Sequence, residues 1–202
     1  MQRGSMDGIV EVAHRAHQMR LTPGTSGNIS VRSPGDGGPE FMISASGVSL
    51  GFLDRNHMVS FPPASGEELQ PSSEIRLHAA LYRVLPQANV LLHYHGTWTI
   101  LAGESQPAGG TWSPSLTLPE FASLAPGGAV PVVSPVPAGS GELAQEAARL
   151  ASGSRACGLI LSGHGGITWG RSARQALFHA ETLESAAKID YLMTIQRGIL
   201  RC

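Results

Sequence analysis

The chain has 202 residues, 42% of them hydrophobic and 14% charged, with a formal net charge of -1. That length suits one domain with a core large enough to stand without staples, and the composition excludes a disordered chain. A near-neutral balance without a Lys/Arg run counts against nucleic acid or an anionic membrane as partner, and no apolar run reaches the roughly 18 residues of a membrane span.

Read in chain order, residues 1–6 lack the apolar stretch of a secretory signal, and Met6 is a second candidate start. Residues 7–19 place Ile9, Val10, Ala13 and Ala16 on a helical stripe. Residues 21–27 read as loop, 28–32 as strand, 34–39 with their three glycines as a turn, and 41–44 as a second strand. Pro71, Ser72 and Ser73 open a helix that runs to about Tyr82, with serine as its cap. A buried strand over 89–95 leads into a helix over 97–102, and 113–124 holds a short helix starting near Pro114 or Pro119. Strand 130–134 and an Ala/Leu-rich helix over 141–150 follow. Strands 158–161 and 167–169 flank Gly163-His164-Gly165-Gly166. The longest helical pattern spans 172–195, with Ala176, Ala180, Leu183, Ala187 and Leu192 on one side. This order predicts a single α/β domain over 1–202, a mostly antiparallel central sheet between helical layers. Two cysteines far apart, Cys157 and the terminal Cys202, argue against a structural disulfide and for a reducing, cytoplasmic setting.

Two of the eight histidines end the run Val90-Leu91-Leu92-His93-Tyr94-His95. Side chains two apart on a strand share a face, so His93 and His95 aim at one point while Tyr94 turns away. A third, His164, sits in the glycine turn. Neutral imidazoles so placed suit a divalent ion such as Zn²⁺, and hydrogen-bonded structural histidines are the plainer alternative. His14, His17, His57, His78 and His179 read as surface or satisfied, partly buried residues. Three short loops, Thr25-Ser26-Gly27-Asn28, Ser44-Ala45-Ser46-Gly47 and Pro71-Ser72-Ser73, offer hydroxyls and backbone N–H groups to an anion. Plain turn and cap chemistry is the alternative for each loop.

Those loops, Glu74 with Leu77-His78, His93-x-His95 and Gly163-His164-Gly165, in this order between about Gly24 and Leu192, resemble the class II aldolase/adducin superfamily. Within it, the segment from Gly163 to Trp169-Gly170-Arg171 and the leader Pro23-Gly24-Thr25-Ser26-Gly27-Asn28 are most similar to methylthioribulose-1-phosphate dehydratases of methionine salvage. The resemblance implies Zn²⁺ on His93, His95 and His164, and phosphate contacts around Ser26, Gly27, Asn28, Ser46, Gly47, Ser72 and Ser73. It also implies a small phosphorylated ketose as substrate and a homotetramer with active sites between subunits. The dehydratases carry their catalytic glutamate where this chain has Glu120, and the sugar-phosphate aldolases carry theirs at Glu74. Those aldolases use a tyrosine near the position of Phe121, which has no proton to give. The chain departs from the dehydratase pattern at Val48-Ser49-Leu50, at Ser123 and at His93-Tyr94-His95-Gly96. The expected activity is a lyase reaction that eliminates water with Glu120 as base, or cleaves a C–C bond with Glu74 as acid/base. A non-catalytic, adducin-like module is the remaining alternative, and the intact imidazole set speaks against it.

Overall fold

The computed structural model describes residues 6–33, 40–106 and 109–199. The residues before Met6, the turn expected over 34–39, and Cys202 lie outside the described residues. Helix α1 (Met6–Gln18) buries Ile9, Val12, Ala13 and Ala16, three or four residues apart. Strands β1 (Asn28–Arg32), β2 (Phe41–Ser44) and β3 (Met58–Phe61) follow. Then come α2 (Ile75–Val84), β4 (Val90–Tyr94), α3 (Thr97–Glu104), β5 (Thr111–Trp112) and α4 (Phe121–Leu124). The chain continues through β6 (Val130–Val133), α5 (Gly141–Ser152), β7 (Gly158–Leu161), β8 (Gly165–Gly170) and α6 (Ala173–Ile199).

The strands form one sheet in the order β3-β2-β1-β4-β8-β7-β6-β5. Neighbours run antiparallel except β6 and β7, which α5 joins as a parallel pair. Alternation along β4 sorts the two layers. Val90, Leu92 and Tyr94 enter the core shared with α1 and α6, whereas Leu91 enters the core under α2 and α5. A third cluster joins β6 and β7 to α3, α4 and α6 through Val130, Val132, Ile160, Ala102, Phe121 and Leu183. Every residue of β4 is buried, as a strand covered on both faces requires.

The structure revises several local expectations. Ser72 and Ser73 do not cap α2: Glu74 is its N-cap residue without a side-chain cap bond, and the Ser72 hydroxyl instead accepts the Glu74 N–H at 3.3 Å. The short helix expected within 113–124 is only Phe121–Leu124. Leu192 is 47% exposed, so the buried stripe of α6 stops before it. Two strands, β3 and β5, are additions. β3 is an edge strand whose outer side is met by the Glu67 carboxylate, which accepts the Ser60 N–H and hydroxyl at 2.9 and 2.8 Å.

Candidate metal centre and cleft

His93 stands on the α2 face of β4, next to the central ladder with β8, and is 1% exposed. His95 lies just past the strand, where its N–H donates to Leu21 O at 2.8 Å and keeps the chain extended. His164 comes from the β7–β8 hairpin, whose register Leu161↔Gly165 leaves a three-residue tip. Gly163 supplies the left-handed conformation that such a tip needs (φ 68°). A Cβ on Gly165 would sit 2.1 Å from Tyr94 O, so only glycine lets the hairpin approach β4 this closely.

The result is three imidazoles with ring centroids 4.7–4.8 Å apart. One ring nitrogen from each lies within 4.8 Å of the others. Nitrogens about 2.0–2.1 Å from a tetrahedral ion stand roughly 3.3–3.4 Å apart, so modest tightening closes the set. The Gly166 carbonyl can only accept, so His93 donates from Nδ1 at 3.0 Å and leaves the Nε2 lone pair facing the cluster. That Nε2 lies 3.0 Å from Nε2 of His95. Burial pushes all three pKa values down, that of His95 to about 4, and the neighbouring rings depress His93 and His95 further. They are neutral at neutral pH, the form that binds a metal. The donor set fits a divalent cation.

The three loops converge here. Ser26, Gly27, Asn28, Ser46, Gly47, Ser72, Ser73 and Glu74 line one cleft of about 400 Å³ with the three histidines. That volume takes a small molecule. Gly27 allows the first loop to lie against β4, because a Cβ there would meet His93 O at 2.7 Å. Asn28 pairs in register with His93, and its buried Oδ1 has no hydrogen-bond partner among the described residues. No Lys or Arg is among the described residues that line the cleft.

Glu74 is 4% exposed. Its Oε1 accepts the Gly139 N–H at 2.9 Å and lies 3.9 Å from His164 Nε2, whereas its buried Oε2 has no partner among the described residues. Burial raises its pKa above the usual carboxylate value, and the Gly139 bond partly opposes that shift. This is a carboxyl able to keep or return a proton inside the cleft. Glu120 does not line the cleft; it is exposed and precedes α4, where Phe121 is fully buried against Trp112. Sequence reasoning missed the 138–139 segment. The signal was Pro137-Ala138-Gly139-Ser140, a glycine loop leading into the helix that Ser140 caps, like the loops already singled out.

The remaining histidines are mostly satisfied: His14 on Leu53 O at 2.8 Å, His17 on Thr22 O at 2.8 Å, and His179 on Trp169 O at 2.7 Å. His78 departs from that expectation, being fully buried with no partner for Nε2 among the described residues. Tyr94 turns away from the cluster as alternation requires. Its fully buried ring is spent in this chain's own core, with its hydroxyl 3.2 Å from that of Thr99.

Residues 7–191 match the model of the Class II Aldolase and Adducin N-terminal domain. The chain is similar to 3-oxo-tetronate 4-phosphate decarboxylase of Escherichia coli (strain K12), 29% identical over 96% of this chain and 89% of that protein. It is also similar to methylthioribulose-1-phosphate dehydratase of Bradyrhizobium sp. (strain BTAi1 / ATCC BAA-1182), 31% identical over 89% and 87% of the two chains. Among solved structures it resembles YgbL of Escherichia coli, with a TM-score of 0.80 at 26% identity over 93% of this chain and 88% of that one.

Proposed function

The chain belongs to the class II aldolase and adducin N-terminal domain family, and from that premise we propose a zinc-dependent lyase that breaks a carbon–carbon bond beside a carbonyl in a small phosphorylated substrate. The observation that carries this reading is the placement of Glu74: among the described residues it is the one carboxylate lining a cleft that also holds three imidazoles and three hydroxyl-rich loops. His93, His95 and His164 would hold the ion, which when bound supplies Lewis-acid polarisation of a substrate oxygen.

The rest is the work of the chain. Asn28, Ser46, Gly47, Ser72 and Ser73 bind a phosphate through neutral donors and set the distance from that end to the imidazoles, while Ser26 shapes the first loop by donating its N–H and hydroxyl to Pro23 O. The Ser72 hydroxyl accepts the Glu74 N–H, which leaves its own proton for the ligand. Breaking the C–C bond next to a carbonyl, with CO₂ or an aldehyde departing, leaves its electron pair as an enediolate. That carbon then needs a proton. Glu74 is positioned to give it: Oε1 is tethered by Gly139, Oε2 is free, and burial favours the protonated carboxyl. The decarboxylase relative supports a phosphorylated 3-keto acid as first candidate.

The sequence pattern favoured water elimination by Glu120, and this is the second reading. It is supported by the exposure of Glu120, which leaves it free to reach the cleft of a neighbouring copy in a homotetramer. Two variants and a product analysis separate the readings. With zinc and 3-oxo-tetronate 4-phosphate, CO₂ release is expected. Glu74→Gln should keep zinc and lose turnover by about 10²–10⁴-fold, whereas Glu120→Gln stays near wild type. Full activity of Glu74→Gln would sink the proposal. Loss in Glu120→Gln alone, with a dehydrated diketone formed from methylthioribulose 1-phosphate, would establish the second reading.

A further inference from the structure

Glu184 of α6 lies behind β4, on the side to which Tyr94 points. Its Oε1 accepts the Trp98 N–H at 3.0 Å, and its Oε2 accepts the Thr99 N–H at 2.9 Å and the Thr99 hydroxyl at 2.7 Å. With its proton committed to Glu184, the Thr99 hydroxyl accepts that of Tyr94 at 3.2 Å. A Cβ on Gly96 would fall 2.3 Å from Glu184 Oε2, so the carboxylate rests on the backbone step that leaves His95.

One carboxylate thus gathers three donors from the first turn of α3, a turn whose N-cap, Gly96, has no side chain to offer. Free helix N–H groups need acceptors, and an anion suits that end of the helix. The carboxylate is itself held by α6, anchored on either side by the buried Leu183 and Ala187. This matters to the imidazoles because His95 lies beyond the last ladder pair of β4, Tyr94↔Gly166. Its own backbone tie is the bond to Leu21 O, so the path of the chain from Tyr94 to Thr99 decides where its ring stands.

We propose that Glu184 is a positioning residue for His95, bracing the β4–α3 junction through Trp98, Thr99 and Tyr94 so that the His95 ring is held facing the other two imidazoles before a cation arrives. This rests on the reading of His93, His95 and His164 as metal ligands, and the test separates the two. Zinc affinity of the apoprotein is measured by competition with a chromophoric chelator. Wild type is expected to bind one zinc; failure to do so overturns the metal reading, and this one with it. Glu184→Gln keeps the side-chain shape but offers one acceptor oxygen and turns an NH₂ toward N–H donors. It should bind zinc about tenfold more weakly, the low end for residues supporting a ligand. Thr99→Val, which removes the hydroxyl that joins Glu184 to Tyr94 but keeps the Trp98 and Thr99 N–H bonds to the carboxylate, should bind zinc more weakly than wild type and more tightly than Glu184→Gln. A Glu184→Gln protein that melts lower yet keeps wild-type zinc affinity would make Glu184 a helix cap alone and overturn the proposal. Should Glu184→Gln not fold, Thr99→Val decides: unchanged zinc affinity there is equally fatal.

Discussion

His78 illustrates how burial dictates the chemistry of a single residue. It is fully buried on α2, with Nδ1 at 2.7 Å from the Ser30 hydroxyl, which also meets the Tyr82 hydroxyl at 2.9 Å. Burial lowers its pKa to about 3, from 6.5 in the open chain. The folded imidazole is therefore neutral, while the unfolded one takes a proton below pH 6.5. Its contribution is complete above that value and is lost as pH falls toward 3, at about 1.4 kcal/mol per pH unit. Urea melts at pH 7.5 and 5.5 should show this loss, and His78→Gln should lose about 1 kcal/mol less across the same interval. Equal losses in the two proteins would refute the assignment. At this scale the sequence was most informative where spacing alone sets direction, as for His93 and His95. It was silent on Gly139 and on the full burial of His78, because both depend on which helix covers which strand.

At the scale of elements, the β7–β8 hairpin is the part on which the site turns. Gly165 has φ 150° and no room for a Cβ against Tyr94 O. Gly165→Ala should therefore displace the tip that carries His164, costing about 1–3 kcal/mol of stability. Chelator competition should register weaker zinc binding in the same protein; wild-type affinity would show that the tip tolerates the shift. Most elements were legible because their apolar periodicity is strong, as in α1 and β4. β3 and β5 were not: each is short, lies at or near a sheet edge, and depends on neighbours for its pairing. The stripe expected on α6 failed at Leu192 because periodicity cannot show where the covering layer ends. The serine cap expected on α2 failed for a different reason, since the Ser72 hydroxyl serves the cleft edge rather than the helix.

Across the whole molecule, the imidazoles come from a central strand and from a hairpin some 70 residues later, the separation of the His93 Nδ1–Gly166 bond being 73. An ion held by both stabilises only the folded chain. At a hundredfold excess over its dissociation constant, it should add about 2.7 kcal/mol, or roughly 5–10 °C in melting temperature for a chain of this size. Thermal melts with zinc and with chelator should differ by that amount, and His164→Ala should abolish the difference; an equal shift in that variant would place the ion elsewhere. Among the described residues no helix is long and apolar enough to cross a membrane. Among the described residues that line the cleft there is no Lys or Arg, and this has a kinetic consequence. Without a cationic side chain there, encounter rates of a dianion with the metal-free protein should respond little to ionic strength, and any steering by charge rests with the bound ion. Selection then falls to the directions of hydroxyl and amide hydrogens, which reward a ligand of the right shape over one that is merely negative.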